Sequence, residues 1–271
     1  MGAIDQLRRI KAATRAVARQ PRVAIERARR ELRPVYRGRG TCPICERAVR
    51  FKALDPWFRD HLLCSGCGSI PRERALMQVI ADWSPRWKEA SVHESSPGER
   101  GTSVKLAREC AHYVASQYDP STPWGEMDPT GQYRSEDLEH QTFADESFDL
   151  VVTQDVFEHI FDIDAAFREI ARTLKPGGAH IFTTPLVNGR EPSEPWARRR
   201  DDGTIDHLQE PEYHGNPMDH EGGSLVTWHY GYDIVDQIRE ACGLDTTIVL
   251  LDDLSRGLQA EYLEVLVTQK P

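Results

Sequence analysis

The sequence predicts an α/β fold built on a mostly parallel sheet, and three stretches carry that prediction. Residues 146–185 read as strand, loop, helix, turn and strand. Residues 232–268 add a helix and two more strands. Ahead of both, two Cys-x-x-Cys knuckles within residues 42–67 mark a small separate module.

In the first stretch, Phe148, Leu150, Val151 and Val152 form a short apolar run with β-branched members, as in a strand buried on both faces. From Asp164 to Leu174 the pattern turns helical. Ala166, Phe167, Ile170 and Leu174 share one face, and Arg168, Glu169 and Arg172 the other. Asp162 or Asp164 is placed to cap the start. Lys175-Pro176-Gly177-Gly178 ends the helix, and Ala179–Thr184 is the next strand. Such a unit implies a parallel pair with a right-handed crossover, and ligands in such sheets sit at the carboxyl ends of strands. Those ends carry Gln154-Asp155-Val156-Phe157-Glu158-His159 and Thr183-Thr184-Pro185.

FDLVV, DVFEHI, FREIARTLKPGG and AHIFTTP together resemble the fourth and fifth strands of class I S-adenosylmethionine-dependent methyltransferases, of the type 11-like domain. The resemblance implies a seven-stranded, mostly parallel Rossmann-like sheet, S-adenosylmethionine as cofactor and methyl transfer as the activity. Ala90–Glu94 is then the first strand. The family follows it with a glycine-rich turn, whereas this chain has Glu94-Ser95-Ser96-Pro97-Gly98-Glu99-Arg100-Gly101. The resemblance places the methionine end of the cofactor here. The Ser95 and Ser96 hydroxyls, Gly98 and Arg100, which suits a carboxylate, are the candidate contacts beside Glu94. Val104–Cys110 is the next helix and Tyr113–Ser116 the second strand. Gln117 or Asp119 stands where the family holds the ribose, and Asp137 and Leu138 match its adenine bracket. Gln154 and Asp155 close the cofactor side. Tyr232–Cys242 is the last helix, and Thr246–Leu251 and Tyr262–Thr268, joined by a short loop, match the antiparallel pair that completes the sheet.

The knuckles Cys42-Pro-Ile-Cys45 and Cys64-Ser-Gly-Cys67 have the spacing of a four-thiolate zinc site, with redox pairs as the alternative. Four thiolates leave no open position, so such a zinc is structural. His61 reads as a surface residue, and Cys110 and Cys242 as small hydrophobes. Ala75, Leu76, Val79, Ile80 and Trp83 form a helical face packing this module on the next. Arg72, Glu73 and Arg74 at its start read as solvated charges, or as the lining of the site. The chain thus divides into a basic helical leader (1–40), a zinc ribbon (41–70) and a methyltransferase domain (71–271) with a substrate-binding insertion (186–230).

The net charge of −9 conceals an asymmetry. Residues 1–40 hold twelve Lys/Arg against three Asp/Glu. The leader reads as one or two helices over 2–33. Its candidate partners are an anionic membrane surface, a protein, or the chain's own acidic domain. No apolar run suits a membrane span and the polar N-terminus is no secretory signal, so a cytoplasmic protein, at most peripheral to a membrane, is expected.

Residues 186–223 read as a long irregular segment rich in Pro, Gly, Glu and His, with Trp196, Tyr213, His207, His214 and Trp228-His229-Tyr230 as binding-type side chains. A hydroxyl acceptor needs a base. The candidates are Asp155, Glu158, His159, His207, His214, His220 and His229, of which Asp155, His159, His214 and His229 are placed best. Asp155, Asp219, Glu221 and the histidines also offer a Mg²⁺ site. The aromatic, acidic insertion suits a saccharide or glycosylated small molecule, O-methylated. Nucleic acid fits the acidic catalytic region less well, although zinc and the basic leader keep RNA as an alternative. The glycine-poor loop keeps open a fold repurposed for other chemistry or for binding.

Overall fold

The computed structural model describes residues 34–216 and 219–271, apart from the side chains of 219–221. The leader helices expected over 2–33 lie outside the described residues. The chain opens with an antiparallel sheet of β1 (Tyr36–Thr41), β2 (Ala48–Ala53) and β3 (Leu63–Cys64), with helix α1 (Phe58–His61) between the last two. One knuckle lies in the β1–β2 turn and the other starts at the last residue of β3. The ribbon therefore begins within the segment assigned to the leader. The alternation of Tyr36-Arg-Gly-Arg-Gly-Thr41, paired along its length with β2, makes residues 36–40 strand.

Helix α2 (Pro71–Trp83) leads into the main sheet. Pro71 suits the first turn, and the Ile70 amide there donates to Glu73 Oε2 at 3.0 Å. Then come β4 (Ser91–Ser95), α3 (Gly101–Glu109), β5 (His112–Gln117), β6 (Arg134–Ser135), β7 (Phe148–Gln154), α4 (Ile163–Thr173) and β8 (Leu174–Thr183). Asp162 caps α4, its Oδ1 accepting from the Ala165 amide at 2.9 Å. β8 starts earlier than expected because Leu174 already pairs with Phe148. The register then shifts before Leu150 meets Ala179.

The insertion is not irregular. Its mostly polar residues form three short antiparallel pairs: β9 (Glu194–Pro195) with β14 (Trp228–His229), β10 (Ala197–Arg199) with β11 (Ile205–His207), and β12 (Tyr213–Asn216) with β13 (Asp219–Leu225). α5 (Ile234–Cys242) ends at Gly243, which adopts φ 76°. β15 (Thr246–Val249) and β16 (Val265–Gln269) complete the chain.

The main sheet has the order β15-β16-β8-β7-β4-β5-β6, with β16 antiparallel to both neighbours and every other pair parallel. The expected seven-stranded sheet is thus present. The chain winds outward from β4 to β6, returns to β7, and winds out the other way. The β4/β7 boundary is the switch point, with its crevice at the carboxyl ends of these strands.

β7 is buried on both faces. Leu150 and Val152 join Val92, Ile181, Val265 and Val267 against Leu76, Ile80 and Leu106. Val151 faces the opposite core of Phe157, Phe167, Ile170, Phe182, Ile234 and Ile238. The ribbon residues Phe51, Ala53 and Leu62 belong to the first of these clusters. The β15–β16 connection, expected to be short, runs over residues 250–264 and docks on the ribbon. Leu258 and Leu263 enter the shared core, and Ser255 O accepts from the Thr41 amide at 2.9 Å. Arg74, fully buried, donates to Leu62 O at 2.8 Å and to Gly257 O, and its guanidinium lies 4.9 Å over the Phe51 ring. Glu73 is buried as well. The reading of these charges as solvated is thereby corrected: Arg74 fastens the ribbon to the sheet, Glu73 pairs with Arg100, and Arg72, beside Asp155, takes the other reading, as lining of the site. Cys110 and Cys242 are half-buried, and their thiols donate to backbone carbonyls.

A shared core predicts shared cooperativity. Leu62→Ala, in the ribbon, should cost the whole chain about 2–5 kcal/mol in chemical denaturation, with ribbon and sheet probes unfolding in one transition. Two separated transitions would disprove the coupling.

Candidate functional site

The four knuckle cysteines converge. Cys42 Sγ lies 3.7 Å from Cys67 Sγ, and Cys45 Sγ 3.9 Å from Cys64 Sγ. All four sulfurs lie within 4.8 Å of one another. A tetrahedral zinc with Zn–S of about 2.3 Å requires sulfur separations of about 3.8 Å. These distances fit that polyhedron and are far beyond a disulfide bond of about 2.05 Å. The outer groups fit as well: the Gly66 amide donates to Cys64 Sγ at 3.3 Å, and Ser69 Oγ stands 3.2 Å from Cys67 Sγ and 3.5 Å from Cys42 Sγ. His61 is exposed, as expected.

The ribbon also supplies residues to the cleft. Asp155 follows β7 with φ 52°, a conformation rare outside glycine, Asn and Asp. Its carboxylate accepts from Arg59 Nη2 at 2.8 Å and from Thr183 Oγ1 at 2.9 Å, and Arg72 Nε stands 3.1 Å away. Burial alone would raise this carboxyl, but the two guanidiniums hold it below the usual carboxylate range. Arg59 also donates to Tyr262 O, and Arg72 pairs with Asp60. Asp155 is thus bound by the protein's own cations and is not offered to Mg²⁺. The side chains of Asp219, His220 and Glu221 lie outside the described residues.

Beyond Asp155 a cavity of about 680 Å³ opens at the carboxyl ends of β7 and β8, lined by residues of the ribbon, the sheet and the insertion. Trp57, Tyr213, Trp228 and Tyr262 supply aromatic walls, and Glu158, His159, His214 and His229 the polar ones. Glu158 is 2% exposed. Its Oε2 accepts from Thr184 Oγ1 at 3.0 Å, while Oε1 has no hydrogen-bond partner among the described residues. Burial, and then the charge of Asp155, pushes its carboxyl up to about 8. His159 Nδ1 donates to Leu225 O at 2.8 Å, and burial lowers its basicity. Glu212 bridges two other histidines, with Oε1 3.3 Å from His214 Nε2 and Oε2 3.0 Å from His229 Nε2. The His229 ring stacks on Trp196 at 3.7 Å. The structure therefore brings His159, His214 and His229 to one cavity, whereas exposed His207, on β11, is not among its lining residues.

The cofactor candidates lie around the ends of β4 to β7. Ser96 adopts φ 55° and its amide donates to Ser116 O. Gly98 N donates to Ser103 Oγ at 2.9 Å. Gly101, at φ 64°, lets the Glu73 carboxylate pass where any Cβ would collide. Arg100, expected to meet the cofactor's carboxylate, has its Nε 2.7 Å from Glu73 Oε1. Glu94 points into the core, accepting from Ser103 Oγ at 2.5 Å and Tyr113 OH at 2.8 Å. Asp119 is taken up by Ser121, Thr122 and Tyr133. Asp137 is partly buried, its carboxyl raised by that burial, and accepts from the Glu139 amide, with Leu138 buried beside it. Gln154 Oε1 is buried without a partner among the described residues. Gln117 ends β5. Tyr118, missed by sequence reasoning, follows it and packs on Trp124 at 5.3 Å, both exposed.

Residues 95–182 match a family model described as a methyltransferase domain. A stretch of 84 residues is 31% identical to the uncharacterized protein YafE of Escherichia coli (strain K12), covering 31% of this chain. The chain spans 38% of the length of that curated relative. Similar solved structures include an S-adenosylmethionine dependent methyltransferase from Mesorhizobium loti, at 15% identity, covering 72% of this chain and 98% of that one, TM-score 0.47. Another is the PH0226 protein of Pyrococcus horikoshii OT3, at 15% identity, covering 74% and 89%, TM-score 0.45. A third is phosphoethanolamine N-methyltransferase 2 of Haemonchus contortus in complex with S-adenosyl-L-methionine, at 12% identity, covering 72% and 52%, TM-score 0.44. The fold assignment itself stands on the strand order. Among the described residues, no helix is long and apolar enough to cross a membrane.

Removing the charge of Asp155 leaves Arg59, 5% exposed at its side chain, without its counter-ion. Asp155→Asn should therefore destabilise the protein by about 3 kcal/mol, read in urea denaturation; a loss below a few tenths would refute the clamp. Glu94 sets a pH dependence. Burial raises its carboxyl to about 7, above the ordinary value of 4.5. The folded state thus holds the extra proton, and stability is lost as pH rises from about 4.5 to about 7. Relative to wild type, Glu94→Gln should gain about 1 kcal/mol between pH 6 and pH 8; an unchanged difference across that range would contradict the assignment.

Proposed function

We propose that this chain, whose residues 95–182 match a methyltransferase domain, transfers the methyl group of S-adenosylmethionine to a hydroxyl of an uncharged, saccharide-like acceptor. The observation that carries this reading is the cavity beside the switch point, with aromatic walls and convergent histidines and carboxylates. Tryptophan and tyrosine rings stack on sugar faces, and carboxylates and imidazoles bind hydroxyls. The cofactor lies along the ends of β4 to β7, against Ser95, Ser96, Gly98, Gln117, Asp137, Leu138 and Gln154. The sulfonium is itself a good leaving group, so the protein's main task is to align the two partners. Removal of the acceptor proton falls to His229. Glu212 can only accept, so His229 Nε2 carries the proton and Nδ1 is left as base; Trp196 fixes the ring. Zinc on Cys42, Cys45, Cys64 and Cys67 is structural in this scheme and holds Trp57 and the helix α1 that carries Arg59 against the cleft.

One observation favours a second reading. On the ribbon's outer face Arg37 stands opposite Lys52 and Arg39 opposite Arg50, all exposed. Like charges directly opposed destabilise a strand pair unless an anion relieves them. RNA is the acceptor this face would suit.

Titration calorimetry with S-adenosylmethionine and S-adenosylhomocysteine, followed by transfer of labelled methyl to glycosides and to structured RNA, tests both. Binding of both cofactors and labelled glycosides are expected. His229→Ala should lower kcat by about 10²–10⁴-fold with little change in KM. Absence of cofactor binding at millimolar concentration sinks the enzyme reading, and labelled RNA alone replaces the acceptor.

A further inference from the structure

Glu158, His159 and His214 present an unusual local chemistry. Glu158 Oε1 stands 3.8 Å from His214 Nδ1 and 4.0 Å from His159 Nε2, and the three atoms lie within 4.8 Å of one another. Each imidazole has its other nitrogen committed. His159 Nδ1 faces a backbone carbonyl, Leu225 O, and His214 Nε2 faces the Glu212 carboxylate. Both partners only accept, so both protons reside there. His159 Nε2 and His214 Nδ1 are left as bare lone pairs. Two bare nitrogens and an unpartnered carboxyl oxygen, which a metal ion would meet deprotonated, thus face one another. Glu158 Oε1 is buried and has no hydrogen-bond partner among the described residues.

A shared proton does not resolve this arrangement, because 3.8 and 4.0 Å exceed hydrogen-bond length. A cation does. A point at the centre of the triangle lies within about 2.5 Å of all three atoms, so contraction by a few tenths of an ångström reaches the usual metal–ligand distance of about 2.1 Å. Holding the far nitrogen of each ligating histidine by a carbonyl or carboxylate is also how metal sites fix tautomer and ring orientation. The two rings stand nearly perpendicular, at 89°, so their lone pairs approach from different directions.

We propose that Glu158, His159 and His214 bind a divalent first-row transition metal ion at the wall of the acceptor cavity. Two imidazoles and one carboxylate suit zinc, cobalt, manganese or iron and not magnesium, which prefers oxygen. Three protein ligands leave positions open. All three residues line the cavity, so those positions are available to oxygen atoms of the bound molecule. Metal binding is independent of methyl transfer. The acceptor class it selects, one with a metal-coordinating hydroxyl, rests on the reading of the cavity given above. Geometry separates the two metal positions chemically: one is all sulfur, and the other is nitrogen and oxygen.

The test is equilibrium dialysis of the full-length, untagged protein against Co²⁺, with bound cobalt and the visible spectrum both measured, and no methyl donor present. Two equivalents are expected. One gives intense thiolate charge-transfer bands, and the other only weak d–d bands. His214→Ala and Glu158→Gln should each bind one equivalent, keep the thiolate bands as proof of an intact ribbon, and lose the weak bands. A wild-type protein that binds a single, thiolate-ligated equivalent overturns the proposal. So does a second equivalent retained in Glu158→Gln, the variant least able to disturb folding. Because cofactor binding is not read, failure here leaves the methyltransferase reading standing, and failure of that reading leaves the metal count unchanged.

Discussion

The carboxylate of Asp155 holds together three parts of the chain that have no covalent reason to meet. It ends β7, lies beside Thr183 at the end of β8, and binds Arg59 and Arg72 from the two helices that flank the second knuckle. Buried charges of one sign are costly, and this cluster is tolerable only because every member is paired. Arg72 reaches Asp60 and Arg59 reaches Tyr262 O, so the network also ties down the β15–β16 connection. The cavity is built around this cluster: its floor is sheet, one wall is ribbon, and the other is the insertion. Without the clamp the cleft would have two independent sides.

Most of the sheet was legible because its signals are local. The β7 run, the helical period of α4, the Asp162 cap and the glycines after Leu174 each follow from a few neighbouring residues. Their order along the chain is what identifies the topology. The cysteine knuckles were legible for the same reason, since metal-ligand spacing is a property of short segments. The insertion was misread as irregular because its strands are two to seven residues long and owe their form to partners far along the chain.

The roles of charged residues were least legible. Arg72, Glu73 and Arg74 look alike in sequence, yet Arg74 is buried against carbonyls of the ribbon and the distant loop at Gly257, and Arg72 faces Asp155. Nothing within a helical turn distinguishes such residues from solvated ones. Likewise, Arg100 suited a cofactor carboxylate by position, but Gly101 admits Glu73 to within reach of it. Glu212 was not singled out in the sequence; His214 lies two residues on, but it is the fold that carries His229 to the same carboxylate.

The ribbon's core is continuous with that of the sheet, and its helices carry Arg59 and Arg72 to Asp155. Occupancy of the sulfur cluster and order in the cleft are therefore linked functions, and linkage runs both ways with equal free energy. With an ion on the four thiolates, a molecule that tightened the cleft would also tighten the hold on that ion, and a chelator that stripped the ion would weaken the hold on the molecule. A metal bound by the sulfur cluster, remote from any reactant, would then make the cleft's affinity depend on available metal.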